Sequence, residues 1–178
     1  MLAPAKPGDF LAFADLNFAT VPVRVRSTRG TPYTRWIAAG MPRLPPEALD
    51  CVCYLYASKE DAEKGRRFGG TAFLVSVPSR VPGSAYVYAV TNWHIAVRDG
   101  ASVIRLNTID GKGGDIFEFG PEEWHFDPRF DIAVRHINNL NRSLHKFKIV
   151  PLSGVVTEAD VVDHEIGPGD DVFMVGRF

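Results

Sequence analysis

Two side chains in this 178-residue chain, His94 and Asp131, are of the types and in the positions that general acid–base chemistry uses. His94 stands just past the run Tyr86-Val87-Tyr88-Ala89-Val90-Thr91, with Pro82-Gly83 before it and Asp99-Gly100 after it. β-branched and aromatic residues bounded by turn formers predict a strand. An imidazole delivered by a rigid strand end is well placed to act as a base. Asp131 follows 37 residues later (131 − 94) and heads Asp131-Ile132-Ala133-Val134, a second predicted strand. A carboxylate in that position can orient an imidazole and fix which ring nitrogen carries the proton.

The elements that must position this pair are short strands. After Asp50, apolar runs are predicted as strands over Cys51–Ala57, Gly69–Val77, Tyr86–Thr91, Ser102–Thr108, Ile116–Phe119 and Asp131–His136, with turn residues between them. The gaps leave no room for the helices of ten or more residues that a parallel βαβ sheet needs. The expectation is an all-β fold, a sandwich or closed barrel. Residues 1–49 read as an N-terminal extension with a Pro-rich linker, within which Phe10–Phe18 is an amphipathic turn or helix. There Val21–Arg26 reads as an exposed edge strand, since it contains Pro22, and Thr34–Ala38 as a second strand after the Arg29–Pro32 turn. The mixed-charge run within Ser58–Arg67 reads as a solvated loop, residues 138–170 as a connector, and Asp171–Gly176 as a seventh strand.

Composition narrows the partners. Net charge is −1, so there is no basic excess to hold a nucleic-acid backbone. No run is long and apolar enough to span a bilayer, and no leader layout is evident, so no membrane is expected and the cytoplasm is the default. The cysteines, Cys51 and Cys53, share a strand face and predict no disulfide framework. His125, His136, His145 and His164 match no zinc-ligand spacing and read as packing or surface residues. Gly111-Lys112-Gly113-Gly114 lacks the spacing of a phosphate loop.

Four stretches, taken in order, resemble the trypsin-like (chymotrypsin-fold) serine proteases, in particular the bacterial Deg-like branch. They are Gly70-Thr71-Ala72-Phe73-Leu74-Val75, with Ala72 where the family has Gly; Thr91-Asn92-Trp93-His94-Ile95-Ala96; Asp131-Ile132-Ala133-Val134; and Gly169-Asp170-Asp171-Val172-Phe173-Met174-Val175-Gly176. The resemblance spans about residues 50–178. It implies a six-stranded Greek-key barrel over 50–136, then a connector and the first strand of an incomplete second barrel over 137–178. It implies His94 as general base, Asp131 as its orienting partner, a polypeptide substrate and no cofactor. The family's Gly-x-Ser-Gly nucleophile segment is missing. Only Ser153-Gly154 has the right neighbour, and it precedes the second barrel, so it is not assigned as nucleophile. On this reading the chain is a portion of a protease that ends before the serine, nearly inert alone, since loss of the serine costs on the order of 10⁶ in turnover. The alternative is a non-catalytic β-barrel that binds peptides or proteins by strand addition.

Overall fold

The computed structural model describes residues 11–12, 46–168, 170 and 174–176. In chain order the strands and helices are β1 (Leu11–Ala12), β2 (Val52–Tyr56), α1 (Lys59–Lys64), β3 (Phe68–Pro78), β4 (Ser84–Thr91), β5 (Val103–Asn107), β6 (Gly114–Phe117), β7 (His125–Asp127), β8 (Ile132–His136), β9 (Val150–Pro151) and α2 (Glu158–Asp163). A wide helical turn, His94–Arg98, follows β4. The fold is all-β, as expected. All nine strands belong to one sheet whose main path runs β6-β5-β2-β3-β4-β8-β7; β1 joins β4, and β9 joins β3 as the one parallel pair. Among the described residues no ladder joins β6 to β7 or β8, so the hydrogen-bonded sheet is open rather than a closed six-stranded barrel.

Alternation explains the sheet. Along β4, Ala85, Val87, Ala89 and Thr91 are buried while Ser84, Tyr86, Tyr88 and Val90 are half-exposed, the period of two that a strand with one core face must show. The inward side chains of β2 (Cys53, Leu55), β3 (Ala72, Leu74), β4 (Val87, Ala89), β5 (Ile104, Leu106) and β8 (Ala133) meet in a single cluster. Ile137, Leu140, Phe147 and Ile149 join that cluster. The connector expected at 138–170 therefore supplies part of the core and is no peripheral tether.

Several sequence expectations change. The run read as a solvated loop contains α1. Ser58 caps it, its Oγ accepting from the Asp61 N–H at 3.1 Å, and Gly65 ends it in the left-handed region at φ 60°. The helix carries mixed charge because only Ala62 is buried. Cys51 lies in a 3₁₀ turn, Pro46–Cys51, and the strand begins one residue later at Val52. The fifth expected strand sits at Gly114–Phe117, two residues earlier than read. β7 is an additional strand, and the connector holds β9 and α2. Leu11–Ala12 is strand where a turn or helix was expected. The strands expected at Val21–Arg26 and Thr34–Ala38 lie outside the described residues; of Asp171–Gly176, Met174–Gly176 is described and is not strand. Among the described residues no helix is long and apolar enough to cross a membrane.

Leu74 is fully buried, whereas Val162 on α2 is 74% exposed. Leu74→Ala is expected to lower the unfolding free energy by about 2–5 kcal/mol, and Val162→Ala to change it by no more than about 0.5 kcal/mol. Urea denaturation of the two variants checks the core; equal effects would contradict it.

Candidate functional site

The site is built where β4 ends and β8 begins. The two strands are antiparallel, with Thr91 opposite Ala133 and Val90 opposite Val134. That register carries the residues just after Thr91 alongside those just before Ile132, so the loop residue Asp131 faces Asn92, Trp93 and His94. Past Thr91 the chain leaves the sheet. Trp93 is already helical at φ −57°, and the turn closes with the Asp99 N–H donating to the His94 carbonyl at 2.8 Å.

The start of a helical turn leaves its first N–H groups without partners inside the turn. Asp131 accepts from two of them. Its carbonyl accepts from the Trp93 N–H at 3.2 Å, and its Oδ1 from the His94 N–H at 3.0 Å. The other carboxylate oxygen, Oδ2, lies 2.7 Å from His94 Nδ1, well inside hydrogen-bond reach. Asn92 adds its side-chain amide: Nδ2 donates to Asp131 Oδ2 at 3.1 Å and to the Asp131 carbonyl at 3.2 Å. Asp131 holds a left-handed backbone at φ 50°, a conformation Asp tolerates better than most residues. A turn leads into it: Arg129 N–H donates to Asp127 Oδ1 at 2.9 Å, and Phe130 N–H to the Asp127 carbonyl at 3.3 Å.

These contacts fix the chemistry of the pair. The hydrogen bond from the His94 main-chain N–H is the largest influence holding the Asp131 carboxyl below its ordinary pKa range; the His94 ring and Asn92 act in the same direction. An ionised carboxylate only accepts, so the His94 proton sits on Nδ1. Nε2 of the neutral ring then has a free lone pair, the configuration of a base. Among the described residues none hydrogen-bonds Nε2, and the His94 side chain is 37% exposed. Arg98 and Asp99 on the same turn pair with each other, Nε to Oδ1 at 2.8 Å and Nη2 to Oδ2 at 3.0 Å. Both charges are also felt in the site, Asp99 by His94 and Arg98 by Asp131, while Asp131 is the carboxylate that hydrogen-bonds the His94 ring.

The structure brings the two sequence-predicted site residues together, with His94 Nδ1 2.7 Å from Asp131 Oδ2. Ser153 is exposed in the 3₁₀ turn Leu152–Gly154 and makes no described contact with His94. Cys53 is buried with its thiol on the Ala72 carbonyl at 3.5 Å, and burial pushes the Cys51 thiol pKa up, so neither resembles an activated nucleophile. Among the described residues no group of three or more His, Cys, Asp or Glu could hold a metal ion. His136 packs against Tyr86 and Tyr88, with ring centroids 5.5 and 5.3 Å away. His145 is buried, its Nε2 2.7 Å from Asp115 Oδ2 and its Nδ1 accepting from the Asn141 N–H at 3.1 Å. Both its nitrogens are engaged, which makes it a clamp between the connector and the β5–β6 hairpin. Trp93 lies beside His94 with its ring 6.5 Å from that of Phe126.

Sequence reading missed two contributors. Asn92 was visible only as part of a motif. Gly70 supports the His94 turn from the neighbouring strand: a Cβ there would stand 2.6 Å from Ile95 Cγ2, so the glycine makes room for the residue next to His94. Comparison with protein-family models, with curated proteins and with solved structures gives no match.

Two outcomes follow from this geometry. Gly70→Ala is expected to cost about 1–3 kcal/mol by overpacking, and Ile95→Ala, which removes the opposing methyl, to recover part of that loss in a double-mutant cycle. Additive losses would show that the two residues do not meet. The depressed Asp131 pKa gives stability that is fully present above the unfolded value of about 3.9 and is lost as the pH falls through the lower folded value. Asp131→Asn should lack that component, so the difference between the two denaturation midpoints should shrink as the pH falls through that acid window.

Proposed function

We propose that this chain carries the base half of a trypsin-like serine endopeptidase, with His94 as general base and Asp131 as the group that orients it. One observation carries the reading. Both oxygens of the Asp131 carboxylate are bound to His94, one to the ring at 2.7 Å and one to the main-chain N–H at 3.0 Å, with Nε2 left for a reacting group. In this reading Nε2 accepts the proton of a serine hydroxyl as the oxygen attacks a peptide carbonyl. It then returns that proton to the leaving amine, and the acyl-enzyme is hydrolysed by the same base acting on water. Asp131 stays ionised throughout and stabilises the imidazolium. The substrate is a polypeptide, and no cofactor takes part in these steps.

We further infer the six-stranded Greek-key barrel from the strand order. The path β6-β5-β2-β3-β4-β8-β7 would close on itself if β6 met β7 or β8. Two features support near-closure. Phe117 of β6, Phe119 just after it and Ala133 of β8 share one core cluster, and the Arg135 guanidinium of β8 sits 4.3 Å from the centre of the Phe119 ring. The nucleophile is not among the described residues: no described serine, threonine or cysteine bonds His94 Nε2.

The reading frame beyond Phe178 decides between this reading and a peptide-binding barrel. A Gly-x-Ser-Gly segment within about a hundred residues, enough for the rest of a domain, is the expected finding. The polypeptide translated through that frame should react with a fluorophosphonate probe, and His94→Ala should slow labelling by roughly 10⁴–10⁶-fold. Unrelated sequence after Phe178, or equal labelling of the two proteins, would leave the binding barrel as the better account.

A further inference from the structure

We propose that Asn92 is a positioning residue for the His94–Asp131 pair, fixing from within the same strand end which nitrogen of His94 carries the proton. The inference rests on the reading of His94 as a base. Asn92 Nδ2 has two hydrogens and directs both at Asp131, one to carboxylate oxygen Oδ2 at 3.1 Å and one to the main-chain carbonyl at 3.2 Å. Oδ2 is the oxygen that also faces His94 Nδ1 at 2.7 Å. The amide therefore holds the acceptor of the imidazole proton at two points. It ties the carboxylate, and it ties the left-handed backbone, at φ 50°, from which that carboxylate projects.

No other described group does this for Oδ2. The His94 N–H binds the other carboxylate oxygen, Oδ1, and the Trp93 N–H binds the main-chain carbonyl, so among the described residues the Asn92 amide is the one donor at Oδ2 besides the imidazole. The site is half-exposed, with the Asp131 side chain 42% accessible. Water therefore competes for Oδ2, and a fixed donor is what keeps the carboxylate aimed. Without Asn92 the carboxylate keeps only its bonds to His94, Oδ2 is left to the imidazole and to water, and the imidazole proton is less firmly confined to Nδ1. A residue that only supported the fold would not select a tautomer.

The test is ¹⁵N and ¹H NMR of the neutral histidine rings in the chain itself, at alkaline pH, for the parent, Asn92→Ala and the nearly isosteric but donor-free Asn92→Leu. His145 is the internal control, because Asp115 and the Asn141 N–H hold its proton on Nε2, the opposite nitrogen. The parent should show His94 as the Nδ1–H tautomer. In both variants the Nδ1–H fraction, relative to Nε2–H, should fall by about twofold or more, the effect of one exposed hydrogen bond of ordinary strength, with His145 unchanged. An unchanged His94 tautomer in both variants overturns the proposal. Loss of the His145 pattern together with that of His94 in both variants also overturns it, since Asn92 would then act on the fold. The readout needs no nucleophile. If fluorophosphonate labelling fails while the tautomer shifts, the protease reading falls and the positioning role stands.

Discussion

The register between β4 and β8 is the constraint on which the rest depends. With Thr91 opposite Ala133, the residues that leave β4 run beside the residue that enters β8, and His94 meets Asp131. A slip of one residue would send every side chain of one strand to the other face. It would turn the fully buried Ala133 outward and pull the carboxylate away from the ring. Core packing far from the site therefore sets its geometry. Ala89 of β4 and Ala133 of β8 both lie in the shared core cluster, and their burial pins the register that brings the two loop residues within hydrogen-bond range.

Within this frame Asp131 joins two segments that are distant in sequence. Its carbonyl and both carboxylate oxygens are engaged by residues 92–94, so the same residue completes the hydrogen bonding of the turn and orients the imidazole. Structural and chemical roles are inseparable here. The group that satisfies the N–H donors at the start of the turn is also the group that faces Nδ1 of the ring. Such economy suits a half-exposed site, where an isolated ion pair between mobile side chains would contribute little.

The sequence was most readable where a physical period ran through it. β3 and β4 are runs of β-branched, aromatic and other apolar residues between turn formers, and β4 also alternates between buried and half-exposed positions along its whole length. His94 and Asp131 could be paired because each stands at the end of such a strand. β7 was missed because three residues, two of them exposed, leave no period to detect. α1 was read as loop because its charges hide a helix with one buried residue, although Ser58, Asp61 and Gly65 carried the capping signal. The closeness of Gly70 to Ile95 depends on a contact between a strand and a turn 25 positions on (95 − 70), which no local pattern encodes. The connector was misjudged for a related reason. Its buried His145, Phe147 and Ile149 alternate with exposed Lys146 and Lys148, a period of two that runs for only five residues and was passed over.

That connector has a consequence for where the folding unit stops. A boundary drawn at the last residue of β8 would strip Ile137, Leu140, Phe147 and Ile149 from the apolar interior. It would also remove the tethers that Lys146 N–H makes to the Asn107 carbonyl and Lys148 N–H to the Asp50 carbonyl, both at 2.7 Å. The segment works as a strap, crossing from the end of one hairpin to the entrance of β2 and plugging the sheet's interior on the way. The smallest piece able to fold cooperatively therefore reaches at least to Val150, and a natural or engineered cut inside the strap would loosen the whole scaffold, although the strap lies outside the seven-strand path of the sheet.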